Sequence, residues 1–249
     1  GITKKENIIQ MGVLENSVRE DLDNRAPRVM AVLRPLKVTL TNWTDGKTES
    51  LIAQNHPNKP EMGERDITFG RELYIERDDF MEDPPKKFFR LRPGGEVRLR
   101  YGYIIKCEDV IKDGDGNVIE LLCTYDPDTR SGTMSAQRKV KGTIHWVSGA
   151  DSVGAEVRLY DRLFTVPAPD QDNSGKEISE LLNPESLMCL EECRVEPGLS
   201  QRAGEPVQFE RTGYFVTDSH DSMPERPVFN RIVTLRDTWA KIEKAQSPG

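Results

Sequence analysis

The chain has 249 residues and a mass of 28.3 kDa, room for one large domain or two ordinary ones, since single cores stop growing at roughly 250–300 residues. Hydrophobic residues make up 36% and charged residues 31%, with a mean hydropathy of -0.62, a globular composition with a polar surface that excludes a disordered chain. The 35 Lys and Arg stand against 42 Asp and Glu for a net charge of -7, which excludes coating of nucleic acid by bulk charge and leaves only a local basic strip for that purpose.

Four irregularly spaced cysteines are too few for a disulfide scaffold, and Cys189 and Cys193 lack the C-x2-C spacing, so a reducing, cytoplasmic setting is expected. No stretch reaches the roughly 18 apolar residues of a membrane span, and residues 1–12 hold no secretory apolar run, so no membrane partner is expected. The start at Gly1, on the approach to a helix, reads as a fragment or processed product.

Met11, Leu14, Val18 and Leu22, with Glu15, Arg19 and Glu20 between them, predict an amphipathic helix over 5–22 that Pro27 stops. The period then changes to two, and 16 Pro and 19 Gly punctuate short strands in the manner of barrels or sandwiches. Residues 32–42 predict a first strand, and 55–60 a Pro-rich loop. In 96–109, Val97, Leu99, Tyr101, Tyr103, Ile105 and Cys107 share one face of a strand, while Arg98, Arg100, Gly102, Lys106 and Glu108 share the other. Asp113-Gly114-Asp115-Gly116-Asn117 turns the chain into a return strand over 118–125, with Ile119, Leu121 and Cys123 in step. Cys107 and Cys123 are therefore expected opposite each other, as free thiols. Further strands are predicted at 139–147, 156–164, 207–217 and 228–236, with a polar loop at 170–175 and a short helix at 176–182.

His56, His145 and His220 have no metal-ligand spacing, and His145 reads as a packed residue. The loop at 113–117 begins like a calcium loop, but Thr124 stands where position twelve needs Glu, so a hairpin turn is preferred. No phosphate loop, nucleophile elbow or carboxylate pair stands out, and neither a catalytic nor a metal site is expected. The charge pattern says more. Residues 86–106 carry Lys86, Lys87, Arg90, Arg92, Arg98, Arg100 and Lys106 against Glu96 alone, a net of +6 inside a chain of net -7. Phe88 and Phe89 lie within the strip, and a second cluster follows at Arg138, Lys139 and Lys141. Basic residues interleaved with aromatics suit phosphate contact and stacking on unpaired bases. The spacing also fits a solvated basic face above core phenylalanines.

Nine ordered segments carry a resemblance: NRAPRVMAV (24–32), NHPNKPEMG (55–63), EVRLRYGYIIKCE (96–108), CTYD (123–126), KVKGTIHWVS (139–148), EVRLYDRLF (156–164), NPESL (183–187), QFERTGYF (208–215) and PVFNRIVTLRDTWAK (227–241). Together they resemble the C-terminal half of class I glutaminyl-tRNA synthetases. The resemblance implies a mainly β fold: a helical stem-contact segment at 1–26, a proximal β-barrel from 27–75 and 180–240, a distal β-barrel from 76–179 and a tail at 241–249. The barrels would be similar to those of 5S-RNA-binding ribosomal proteins.

By the same resemblance, Arg28, Gln208 and Arg211 read the middle anticodon base, Arg90 the third, and Arg98 and Arg100 the first base with its phosphates. Asn58 lies in a matching loop, Thr238 near a C-terminal contact, and Lys4 and Lys5 along the inner side of the tRNA. Lys87 stands where a Gln is usual and Phe89 where a Lys is usual. Arg98 and Arg100, two apart on one strand face, could both reach a splayed nucleotide, and arginine forks bond base edges and stack on them as lysine cannot.

The implied partners are tRNA(Gln) and a catalytic domain of the same protein, which acts as a monomer. The HIGH and KMSKS signatures are not in the chain. It is expected to need no cofactor itself, ATP with Mg serving the parent enzyme that esterifies glutamine to tRNA. The rival readings are the same module of an archaeal or eukaryotic-type glutamyl-tRNA synthetase and a stand-alone ribosomal RNA-binding protein.

Overall fold

In the computed structural model, which describes residues 11–236 apart from Ser135, Pro167 and Ala203, the chain opens on helix α1 (Met11–Arg25). It ends two residues before Pro27, as that residue's missing N–H requires. Leu22 and Ala26 are buried with Tyr214 and Val233, and Val18 packs beside them, whereas Met11 and Leu14 are exposed. Among the described residues, the apolar stripe is thus covered in its C-terminal half. Residues 5–10 of the predicted helix lie outside the described residues.

The strands follow in short lengths. β1 (Arg28–Val29), β2 (Ala31–Val32) and β3 (Pro35–Leu40) replace the single strand predicted over 32–42. The break has a cause: the N–H groups of Leu33 and Arg34 donate to the Glu76 carboxylate, at 2.7 and 3.1 Å, and Pro35 has none to give. β4 (Thr48–Gln54) and β5 (Glu64–Gly70) form a hairpin with the Pro-rich loop at its tip, followed by β6 (Glu72–Glu76).

β7 (Glu96–Leu99) and β8 (Ile104–Lys112) correct the continuous strand predicted over 96–109. Tyr101 adopts φ 62°, the chain reverses, and Val97 pairs with Ile105. The four-residue connection preserves parity, so the buried face survives the break. β9 (Val118–Asp126) returns across the predicted turn, where Asp113 Oδ1 accepts from the N–H groups of Asp115 and Asn117. Cys107 and Cys123 are register partners, buried and unbridged. β10 (Thr143–Ile144), β11 (Trp146–Ser148), β12 (Val153–Tyr160), β13 (Leu187–Val195), β14 (Val207–Phe209), β15 (Gly213–Thr217) and β16 (Val228–Thr234) complete the chain.

Two seven-stranded sheets result, ordered β1-β14-β15-β16-β12-β13-β2 and β10-β7-β8-β9-β3-β6-β11. In each, the two outermost strands are consecutive in sequence, joined through Met30 in the first and His145 in the second. Such a sheet must curl until its edges meet, and both are nearly closed barrels. Phe209, Phe215, Phe229 and Val157 fill the first; Leu36, Val38, Phe69, Leu99 and Trp146 fill the second.

The strands partition otherwise than the expected spans of 27–75 with 180–240 against 76–179. β3 and β6 pair within the second barrel and β12 within the first, so the chain leaves the first barrel after β2 and returns at β12. The Pro-rich loop at 55–60 is the tip of the β4–β5 hairpin.

Beyond β15, Asp218 accepts N–H bonds from His220 and Asp221, each at 2.8 Å, and the Asn230 amide at 2.7 Å. The Asp221 N–H, the Asn230 amide and the His220 N–H hold its carboxyl at about 2, below the ordinary 3.8. A depressed carboxyl stabilises the fold above its unfolded value and loses that contribution as pH falls toward its folded one. Asp218→Asn should therefore lower thermal stability at neutral pH, and the gap from wild type should close between pH 3.8 and about 2 in melting curves.

Candidate nucleic-acid interface

Between β6 and β7 the chain forms a loop pinned at its base by buried Phe80 and Leu91, with Leu91 N–H donating to the Asp79 carbonyl at 2.9 Å. Its tip, from Pro84 to Arg90, walls a cleft of about 590 Å³. Lys86, Arg90 and Arg92 face it from the loop, and Lys139 and Lys141 from the segment before β10. The two basic clusters of the sequence therefore converge on one cavity. Glu96 is the acid in its lining, and Arg138 occupies both its oxygens at 2.5 and 2.6 Å. Phe89 is 50% exposed with Lys141 Nζ 5.4 Å from its ring centre, and the Arg90 guanidinium lies 5.8 Å from that of Phe88. Neither phenylalanine belongs to a core cluster, so the reading as a basic face above core phenylalanines does not hold.

Gly142 closes the back of this cleft. A Cβ there would run into the Phe89 carbonyl, and the Gly142 carbonyl accepts the Arg98 N–H at 3.0 Å. Gly142→Ala must push the two walls apart, and such overpacking costs about 1–3 kcal/mol. Chemical denaturation should register that loss.

The other candidate residues are distributed as follows. Arg28 is buried, its guanidinium bonded to the Asp23 carboxylate (2.5 Å) and to the carbonyls of Asp23 (3.0 Å) and Ala26 (2.8 Å). Gln208 is its register partner and donates to Tyr214 Oη, which in turn donates to Asp23. Asn58 sits exposed at the β4–β5 tip, its N–H on His56 Nδ1. Since Nδ1 accepts, His56 Nε2 carries the proton donated to the Asp23 carbonyl at 2.8 Å, which ties that tip to Arg28. Lys87 is exposed on a neighbouring cleft of about 610 Å³ shared with Arg77, Phe88 and Arg90.

Arg98 and Arg100 do not converge. The backbone pairing runs past Leu99, since Arg98 and Arg100 both donate their N–H to the β10 segment, at the Gly142 and Ile144 carbonyls (3.0 and 2.9 Å), but their guanidiniums go to separate partners. Arg98 donates to the carbonyls of Thr129 (2.8 Å) and Arg138 (3.0 Å), whereas Arg100 pairs with buried Glu210, which also accepts from Tyr101 Oη at 2.9 Å. Arg211 donates to both oxygens of Asp79, at 2.6 and 2.7 Å, and Arg90 Nε reaches the same carboxylate at 3.2 Å. Lys4, Lys5 and Thr238 lie outside the described residues.

Three buried carboxylates thus hold arginines where the barrels meet: Asp79, Glu210 and Glu196, the last gripping Arg65. Sequence reasoning missed all three, because their partners come from distant strands. Among the described residues no cluster of His, Cys, Asp or Glu could hold a metal ion, and no helix is long and apolar enough to cross a membrane.

Two nearly closed barrels with a cationic, aromatic-lined cleft have the make-up of a nucleic-acid-binding module. The chain belongs to the class I tRNA synthetases for glutamate and glutamine, as their anticodon-binding domain: two family models with that description match residues 26–126 and 143–218. It is 54% identical to a glutamine-tRNA ligase of Bradyrhizobium diazoefficiens over 97% of the chain and 42% of the relative. It is equally 54% identical to those of Pseudomonas putida, over 96% and 42%, and Neisseria meningitidis, over 96% and 43%. The chain spans less than half the length of these curated relatives.

Proposed function

We propose that this chain is the anticodon-binding region of a glutamine-tRNA ligase, gripping the anticodon loop of tRNA(Gln) while the rest of the full-length protein esterifies glutamine to the tRNA with ATP and Mg. It acts in the cytoplasm within a monomeric enzyme. The observation that carries the reading is the cleft, where five cations and an exposed phenylalanine meet in a chain of net negative charge. Lysines there meet phosphates, and Phe89 offers a stacking face. Arg90 reads the third base and Arg211 the middle one, with Arg28 and Gln208 beside it. Lys87 meets a phosphate at the loop tip. Asn58, Thr238, Lys4 and Lys5 add contacts along the tRNA. Arg100 serves the first base from its place on Glu210, and Arg98 serves that base and its phosphates from its seat on the Thr129 and Arg138 carbonyls. The names of the relatives favour glutamine over the glutamate module and over a stand-alone ribosomal protein.

The test is binding of the chain to an anticodon stem-loop of tRNA(Gln) and to the same loop with its third base changed, across a range of salt. The cognate loop should bind more tightly, both affinities should fall with salt, and the chain alone should give background ATP–pyrophosphate exchange. Equal affinity for both loops, or exchange in material free of host synthetase, would overturn the reading.

A further inference from the structure

Where the two barrels meet, one carboxylate serves two cations. Asp79 is 1% exposed, at the end of a single helical turn following β6. Both its oxygens accept from Arg211, of the first barrel, and Oδ1 also lies 3.2 Å from Arg90 Nε, of the second. Each arginine has a further restraint. Arg90 Nη1 donates to the Asp78 carbonyl at 2.8 Å, and Arg211 Nη1 to His145 Nδ1 at 3.1 Å. Arginine only donates, so Nδ1 is the accepting nitrogen and Nε2 carries the His145 proton, 3.5 Å from Glu76 Oε1. Arg211 also holds a left-handed backbone, φ 65°, a conformation that persists in a non-glycine residue only where surrounding contacts over-determine it. A cavity of about 380 Å³ opens onto Asp79, Arg90, His145 and Arg211 together.

We propose that Asp79 is a positioning residue that couples the reading of two neighbouring anticodon bases, one buried carboxylate setting the guanidiniums of Arg90 and Arg211 jointly. The proposal rests on the anticodon reading above. A base that draws Arg211 off its bidentate seat changes what remains on Asp79 for Arg90, and the effect is reciprocal, as linkage requires. A buried carboxylate stripped of one partner is costly, so the arginine that stays is gripped by both oxygens and its fork is held in place for the neighbouring base, which makes the coupling positive. The middle and third bases are then recognised as a unit and not as two independent letters.

The test uses four stem-loops: cognate, middle base changed, third base changed, and both changed. With wild-type protein, the double change should weaken binding less than the product of the two single factors, by roughly fivefold or more. With Asp79→Asn, discrimination at both positions should fall together, and the shortfall should shrink to within about twofold of the product. A merely structural role for Asp79 would move affinity for all four loops alike and leave that shortfall unchanged. Wild-type losses that multiply independently would overturn the coupling whether or not the variant folds. So would an Asp79→Asn protein whose two ratios stay within about twofold of wild type. Wild-type protein that discriminates at neither base would instead defeat the anticodon reading itself.

Discussion

Replacing Glu196 with Ala should lower the unfolding free energy by about 3–5 kcal/mol, the range for removing one partner of a buried ion pair. Its side chain is 8% exposed, that of Arg65 16%, and the two meet through parallel bonds of 2.6 and 2.7 Å. Burial alone would pull the Arg65 guanidinium down, but the Glu196 carboxylate holds it above its ordinary value, so the pair is favourable in place. Glu196 Oε1 also accepts the Met30 N–H at 2.8 Å, at the seam where the first barrel closes. Arg65 lies on β5, whose Ile67 and Phe69 belong to the second barrel's core. One carboxylate therefore ties the seam of one barrel to the hairpin of the other, and its loss strands a largely buried cation and a buried N–H together. Glu196→Met with Arg65→Met should recover much of the loss, because replacing both ions by apolar groups removes the uncompensated charge. Asp45→Ala, at the exposed Arg71 pair, should leave the unfolding free energy nearly unchanged. Urea unfolding with unchanged slopes measures all three. A loss under about 1 kcal/mol for Glu196→Ala would show that the pair contributes no more than a surface one.

What could be read in the sequence was what depends on near neighbours. The alternation of Val97, Leu99, Ile105 and Cys107 specified their buried face, and Asp113 with Gly116 specified the turn that sets Cys107 opposite Cys123. The basic strip was legible because charge density needs no partner to be counted. Long-range pairing was not. Nothing local in residues 35–76 tells that β3 and β6 join β9 and β11, or that β12 returns to the first barrel, and the expected domain spans failed there. The separate seats of Arg98 and Arg100 were hidden for a related reason: their partners are Thr129, Arg138 and Glu210, far along the chain, and Tyr101, a residue with no left-handed preference, gives no warning of the reversal it makes. Asp79, Glu196 and Glu210 were hidden among 42 carboxylates until tertiary contacts placed arginines on them.

Arg90→Ala and Lys139→Ala should differ in kind, not only in size. Arg90 borders the basic cleft, the neighbouring Lys87 cleft and the junction cavity, and its guanidinium is set by Asp79, by the Asp78 carbonyl and by the Phe88 ring. A fork held that way presents its remaining donors in one direction, which is what discrimination between base edges requires. Lys139 lines the cleft wall as a point charge on a flexible stem, suited to a phosphate of any nucleotide. Removing Arg90 should cost about 1–3 kcal/mol against the cognate loop and flatten the preference between G and C at the third anticodon position. Removing Lys139 should weaken every loop alike and lower the slope of log affinity against log salt by about one. Stem-loops carrying G or C at that position, titrated against wild type and both variants at several salt concentrations, separate the two roles. If Arg90→Ala lost affinity equally for both loops and altered only the salt slope, the cleft would be an electrostatic track, and the base would be read elsewhere on the barrels.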